Sequence, residues 1–100
     1  MNNQRLLSTL SIGFNDPMFD QLYIKIKDTP IVPCEGEGIR LLWEYYVPDQ
    51  AVVDLLEEFE NDGRFIVHLI GREFTDNEII THISLFDEMT YQRSYGKNKP

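Results

Sequence analysis

Residues 65 to 86, FIVHLIGREFTDNEIITHISLF, alternate twice between apolar and mixed positions, and that alternation decides the fold class. Phe65, Val67 and Leu69 fall on one side of a first strand, and Ile66, His68 and Ile70 on the other. On the return, Ile79, Thr81, Ile83 and Leu85 oppose Ile80, His82, Ser84 and Phe86. A period of two over two neighbouring runs predicts a β-hairpin. A three-residue loop of Thr75, Asp76 and Asn77 pairs odd residues with odd and sets His68 opposite Ser84, with Asn77 suited to a left-handed position.

Both histidines of the chain then share one face of the hairpin. A zinc site needs three or four N, S or O donors. The neighbours expected on that face are Ile66, Ile70, Arg72, Ile80, Ser84 and Phe86, which add a cation and no carboxylate. No metal, cofactor or catalytic residue is therefore expected. The face reads instead as a second apolar surface, with Ile66, Ile70, Ile80 and Phe86 as candidate contact residues. Its cover is either the N-terminal segment or another protein.

Working outward, LYIKIKD at 22–28 alternates as a half-buried strand, and IRLLWEYYV at 39–47 reads as another. TPIVPCEGEG at 29–38 is a long connection, because its prolines and glycines interrupt any ladder. Asp49 is placed to cap a helix running to about Asn61, with Gly63 closing it and Val52, Leu55, Leu56 and Phe59 as the buried stripe. Leu6, Leu7, Leu10 and Phe14 suggest a short N-terminal helix or apolar arm. The expected architecture is α+β in (α)ββαββ order, a mostly antiparallel four-stranded sheet with one packed amphipathic helix. One domain spans 1–91, and a basic C-terminal tail spans 92–100.

Charge narrows the function classes. The net charge is −8, and all seventeen acids lie between Asp16 and Glu88. Such a balance opposes direct nucleic-acid binding and attachment to anionic membrane surfaces. No apolar run reaches the length of a membrane span, and no signal peptide is apparent, so a cytoplasmic setting is expected. The tail carries Arg93, Lys97 and Lys99 with no acid, which sets a basic arm against an acidic body. On the helix, Asp54, Glu57, Glu58 and Glu60 cluster without a cation. Cys34 stands beside Glu35 and Glu37, neighbours that disfavour a reactive thiolate.

The expectation is a non-enzymatic structural or adaptor subunit of a protein assembly, such as a component of a virus particle or its assembly machinery. It acts through protein partners or self-association, with the second hairpin face and the basic tail as contacts. The alternative is a small acidic inhibitor of the immunity or antitoxin kind, or a nucleic-acid mimic, whose helix acids block a basic partner surface.

Overall fold

The computed structural model describes residues 7–29 and 32–96. Within them lie β1 (Leu7–Phe14), β2 (Ile24–Ile26), β3 (Gly38–Ile39), α1 (Gln50–Asn61), β4 (Phe65–Phe74), β5 (Glu78–Asp87) and α2 (Glu88–Tyr95). The α+β class stands. The sheet has five strands in the order β2-β1-β5-β4-β3, and it is mixed, because β1 runs parallel to β5 while every other pair is antiparallel.

The expected N-terminal helix is instead the strand β1. Leu10, Ile12 and Phe14 alternate with Thr9, Ser11 and Gly13, and that period of two prevails over the helical spacing of Leu6, Leu7 and Leu10. β1 pairs along its whole length with β5, from Leu7 opposite Glu78 to Phe14 opposite Leu85. The expected strand 39–47 is reduced to Gly38–Ile39, followed by a 3₁₀ turn at Trp43–Tyr45. The turn carries Trp43 into the core and leaves Tyr45 exposed, so the aromatic alternation there does not report a pleat.

α1 begins as expected, with the Asp49 side chain accepting from Ala51 N. It ends at Asn61 as expected, with Asp62 as its C-cap and Gly63 next, although Gly63 does not take the left-handed conformation. Its buried line is Val53, Leu56 and Glu60, flanked by half-buried Val52 and Phe59, whereas Leu55 is exposed. The helix is thus turned so that Glu60, rather than a fourth apolar residue, lies beneath it.

The core occupies the first face of the sheet. Leu10, Ile12, Ile24, Phe65, Val67, Ile83 and Leu85 line that face, and Trp43, Val47, Val53 and Leu56 close over it. Phe14, Phe19, Trp43, Phe59 and Phe65 form a connected aromatic group with ring centroids 5.5–5.9 Å apart. Such tilted and edge-on pairs add about 0.5–1.5 kcal/mol each beyond the area they bury.

The hairpin β4–β5 has the expected three-residue loop and sets His68 opposite Ser84. Two details differ. No residue of Thr75–Asn77 has positive φ. A bulge between Leu69 and Gly71 shifts the register by one, so that Gly71 opposes His82, Arg72 opposes Thr81 and Phe74 opposes Ile79. Directly opposed residues share a face, so Glu73 now lies on the second face and Arg72 on the first.

Phe65 touches three of the other aromatic rings. Phe65→Ala is expected to cost about 3–5 kcal/mol, a large share of the roughly 5–15 kcal/mol that holds a domain together. Urea unfolding followed by tryptophan fluorescence measures it, through Trp43.

Candidate functional site

The second face divides into a covered half and an open one. Asp87 ends β5 and at once caps α2, accepting from Thr90 N at 3.1 Å, so the helix turns back over the sheet. Ile66, Phe86 and Tyr91 form a small buried cluster beneath it. His68 stacks on Tyr95 with ring centroids 4.4 Å apart and planes 15° apart, and it meets Phe86 edge-on. Neither expected cover is the one found here: β1 lies in the sheet, and α2 does the covering. Two of the four apolar contact candidates, Ile66 and Phe86, are therefore interior. The segment read as a tail begins inside α2; Arg93 is exposed in its last turn, while Lys97 and Lys99 lie outside the described residues.

Glu35 ties this half together. Its Oε1 accepts from Leu69 N at 2.7 Å, and its Oε2 accepts from Tyr91 Oη at 2.7 Å and from His68 Nδ1 at 3.1 Å. The loop around it lies along the outer edge of β4, with Gly36 N to Val67 O at 2.8 Å and Val67 N to Glu37 O at 2.9 Å. Gly36 has φ of 84°, a left-handed position that glycine adopts without strain. Partial burial pushes Glu35 upward. The hydrogen bonds from Leu69, Tyr91 and His68, with the His68 charge, outweigh that and hold the carboxyl below its ordinary 4.5. Reciprocally, the Glu35 hydrogen bond, helped by burial and by the charge of its carboxylate, pushes the Tyr91 phenol up to about 12.

His82 is the other histidine, and its Nε2 lies 3.1 Å from Glu73 Oε1. The histidines share a face, yet each has its own carboxylate. Neither partner was expected: Glu73 reaches this face only through the bulge, and Glu35 arrives from a loop more than thirty residues upstream. Among the described residues no group of three or more His, Cys, Asp or Glu comes together as metal ligands.

The open half lies above His82. Ser11, Gly13 and Ser84 floor a shallow cleft of about 260 Å³, walled by Tyr23 and Ile70. Tyr23 lies against Gly13, where an added Cβ would sit 3.4 Å from its ring. Both walls are bare: Tyr23 is 73% exposed and Ile70 61%. Ile80, the fourth apolar candidate, is half-buried. Beyond the bulge Phe74 is 68% exposed on the first face.

The acidic candidates separate as well. Asp54, Glu57 and Glu58 are exposed on α1, and Asp54 accepts from Gln50 Nε2. Glu60 is 8% exposed and sits near Trp43, with Glu60 Oε2 and Trp43 Nε1 both buried and short of hydrogen-bond geometry. Burial raises the Glu60 carboxyl, against the opposing pull of Trp43 and Arg40. Glu60 thus belongs to the interior rather than to the acidic surface.

The Glu35 hub has two readable consequences. In Glu35→Gln the Tyr91 phenol should titrate back toward 10, while the wild type holds it near 12; ultraviolet titration of tyrosinate shows the difference. Because Glu35 is lowered, its contribution to stability is complete above pH 4.5 and is lost as the pH falls through the folded value. Glu35→Ala should also speed hydrogen exchange at the Leu69 amide, whose partner is that carboxylate. Unchanged exchange there would remove Glu35 from this role.

Comparison with known proteins matches no family model, no curated protein and no solved structure.

Proposed function

We propose that the chain is a non-enzymatic structural or adaptor subunit of a protein assembly, acting through protein–protein contacts. The observation that carries this is the upper, open half of the sheet. There Tyr23 and Ile70 are each more than 60% exposed beside a floor of small side chains. Large side chains standing beside a small-residue floor suit a partner that interdigitates, and contact energy concentrates where such anchors are desolvated. Two of its polar pairs are engaged internally, His82 with Glu73 and Thr9 with Glu78, and the bare Tyr23 and Ile70 side chains supply apolar area. A component of a virus particle or of its assembly machinery is one setting for such a subunit.

A second reading has its own observation. Asp54, Glu57 and Glu58 form an exposed acidic ridge on α1, and none of them is in an ion pair among the described residues. In this reading the protein is a small acidic inhibitor whose ridge docks on a basic surface, with charge steering the encounter.

Paired variants separate the two. Tyr23→Ser with Ile70→Ser should abolish partner capture or self-association under the first reading, with little change in unfolding midpoint because both side chains are exposed. Glu57→Lys with Glu58→Lys should do so only under the second. Affinity purification from the native source, followed by mass spectrometry, compares them directly. Unchanged capture by the Tyr23/Ile70 variant counts against the first reading.

A further inference from the structure

We infer that the trough between α1 and a 3₁₀ turn at Pro17–Phe19 is a docking groove for a basic amphipathic helix of a partner protein. This rests on the reading in which the acids of α1 meet a basic partner, and it supplies the apolar half of that contact.

The groove follows from how two short elements are set. Asp16 caps the turn by accepting from Met18 N at 2.9 Å. The turn sends Phe19 inward, where its ring meets Phe14 and Phe59, and leaves Met18 60% exposed. Of the apolar stripe expected on α1, Leu55 is the member that the core leaves out, at 41% exposure. Met18 and Leu55 are shared walls of two adjoining hollows. One, of about 230 Å³, runs over Phe19, Leu22 and Val52; the other, of about 540 Å³, runs over Phe59 toward Asp62. Together they follow α1 from Val52 to Asp62, about 15 Å at the helical rise.

Shape and charge select the occupant. The walls are a helix and a 3₁₀ turn, which present side chains and no strand edge, so they suit a helix laid in the groove rather than an added strand. At the centre, the unbranched Met18 adapts to the anchors of a partner more readily than a stiff side chain would. The rim is acidic. Asp20 stands toward one end, Glu58 and Asp62 toward the other, and none of the three is in an ion pair among the described residues. No Lys or Arg among those residues lines either hollow. A helix with apolar side chains three and four residues apart, and Lys or Arg beside them, complements both the apolar floor and the anionic rim. Glu57 lies outside the groove, on the side of α1 that faces Arg40.

The test uses the full chain and three labelled synthetic peptides. The first is a leucine–lysine helix with leucines at three- and four-residue spacing. The second has the same composition with the leucines scattered round the helix, and the third replaces lysine by glutamate. Fluorescence anisotropy should show saturable binding of the first alone. Leu55→Ser with Met18→Ser should weaken it about tenfold or more, as loss of central anchors does. Glu58→Lys with Asp62→Lys should do the same, whereas Glu57→Lys should change it far less. These positions are exposed, and circular dichroism checks that the fold is kept. Equal binding of the scattered peptide, or indifference to the Leu55/Met18 variant, would overturn the groove and leave a contact made by charge alone, with the acidic-ridge reading intact. Absence of binding by every peptide also overturns the groove, and the ridge reading is then decided separately by native capture with the Glu57/Glu58 variant.

Discussion

A single extra residue in β4 governs how this molecule presents itself. Below Ile70 the strand pairs with β5 so that His68 opposes Ser84; above it the register has moved by one, and His82 opposes Gly71. A bulge leaves one residue unpaired and exchanges the faces of everything beyond it. Here the exchange takes Arg72 away from His82 and brings Glu73 to it, replacing a repulsive neighbour by a hydrogen-bonded one. The same step turns the main chain of Arg72 and Phe74 toward open solvent. Gly71 beside the bulge would meet no atom within 4 Å of an added Cβ, so nothing crowds the strand there.

The bulge matters because a small domain has few elements with which to cover a two-sided sheet. The first face receives α1, the 3₁₀ turn at Trp43–Tyr45 and five aromatic rings, which bury it below the bulge. The second face receives only the eight residues of α2, enough to bury Ile66 and Phe86 but not to reach Ile70. Glu35 is what makes so short a cover hold: one carboxylate accepts from a strand amide, a histidine and the Tyr91 hydroxyl of the helix. A carboxylate with several charge-assisted hydrogen bonds is among the stronger polar anchors available at a surface.

The long periodic segments were legible in the sequence, and the places where tertiary packing overrides local pattern were not. The hairpin and the His68–Ser84 pairing follow from alternation alone, whereas the pairing at the tip, Phe74 opposite Ile79, does not; the start of α1 follows from Asp49. β1 was hidden because Leu6, Leu7 and Leu10 suit a helix while Leu10, Ile12 and Phe14 suit a strand, and only the neighbouring β5 settles the choice. Residues 39–47 alternate well enough for a strand, but Trp43 is needed in the core, and a tight turn delivers it. Glu35 carried no local signal at all. Its partners, Leu69, His68 and Tyr91, lie between 33 and 56 residues away in the chain, beyond any pattern of spacing.

The acidity of the chain also changes meaning once the acids are placed. Asp16, Asp49 and Asp87 cap helical turns, and Glu35, Glu73, Glu78 and Glu88 hold hydrogen bonds to His68, His82, Thr9 and Arg64. Glu60 is interior. Much of the −8 is therefore structural, dispersed over both faces and interleaved with cations, unlike the unbroken anionic surface that imitation of a phosphate backbone requires. The concentrated remainder is the α1 ridge of Asp54, Glu57 and Glu58, where like charges three and four residues apart oppose helix formation by a few tenths of a kcal/mol. That ridge lies on the opposite side of the molecule from Tyr23 and Ile70, because α1 packs on the first face and the cleft opens on the second. A basic partner on α1 and an apolar partner on the sheet would not compete for the same surface.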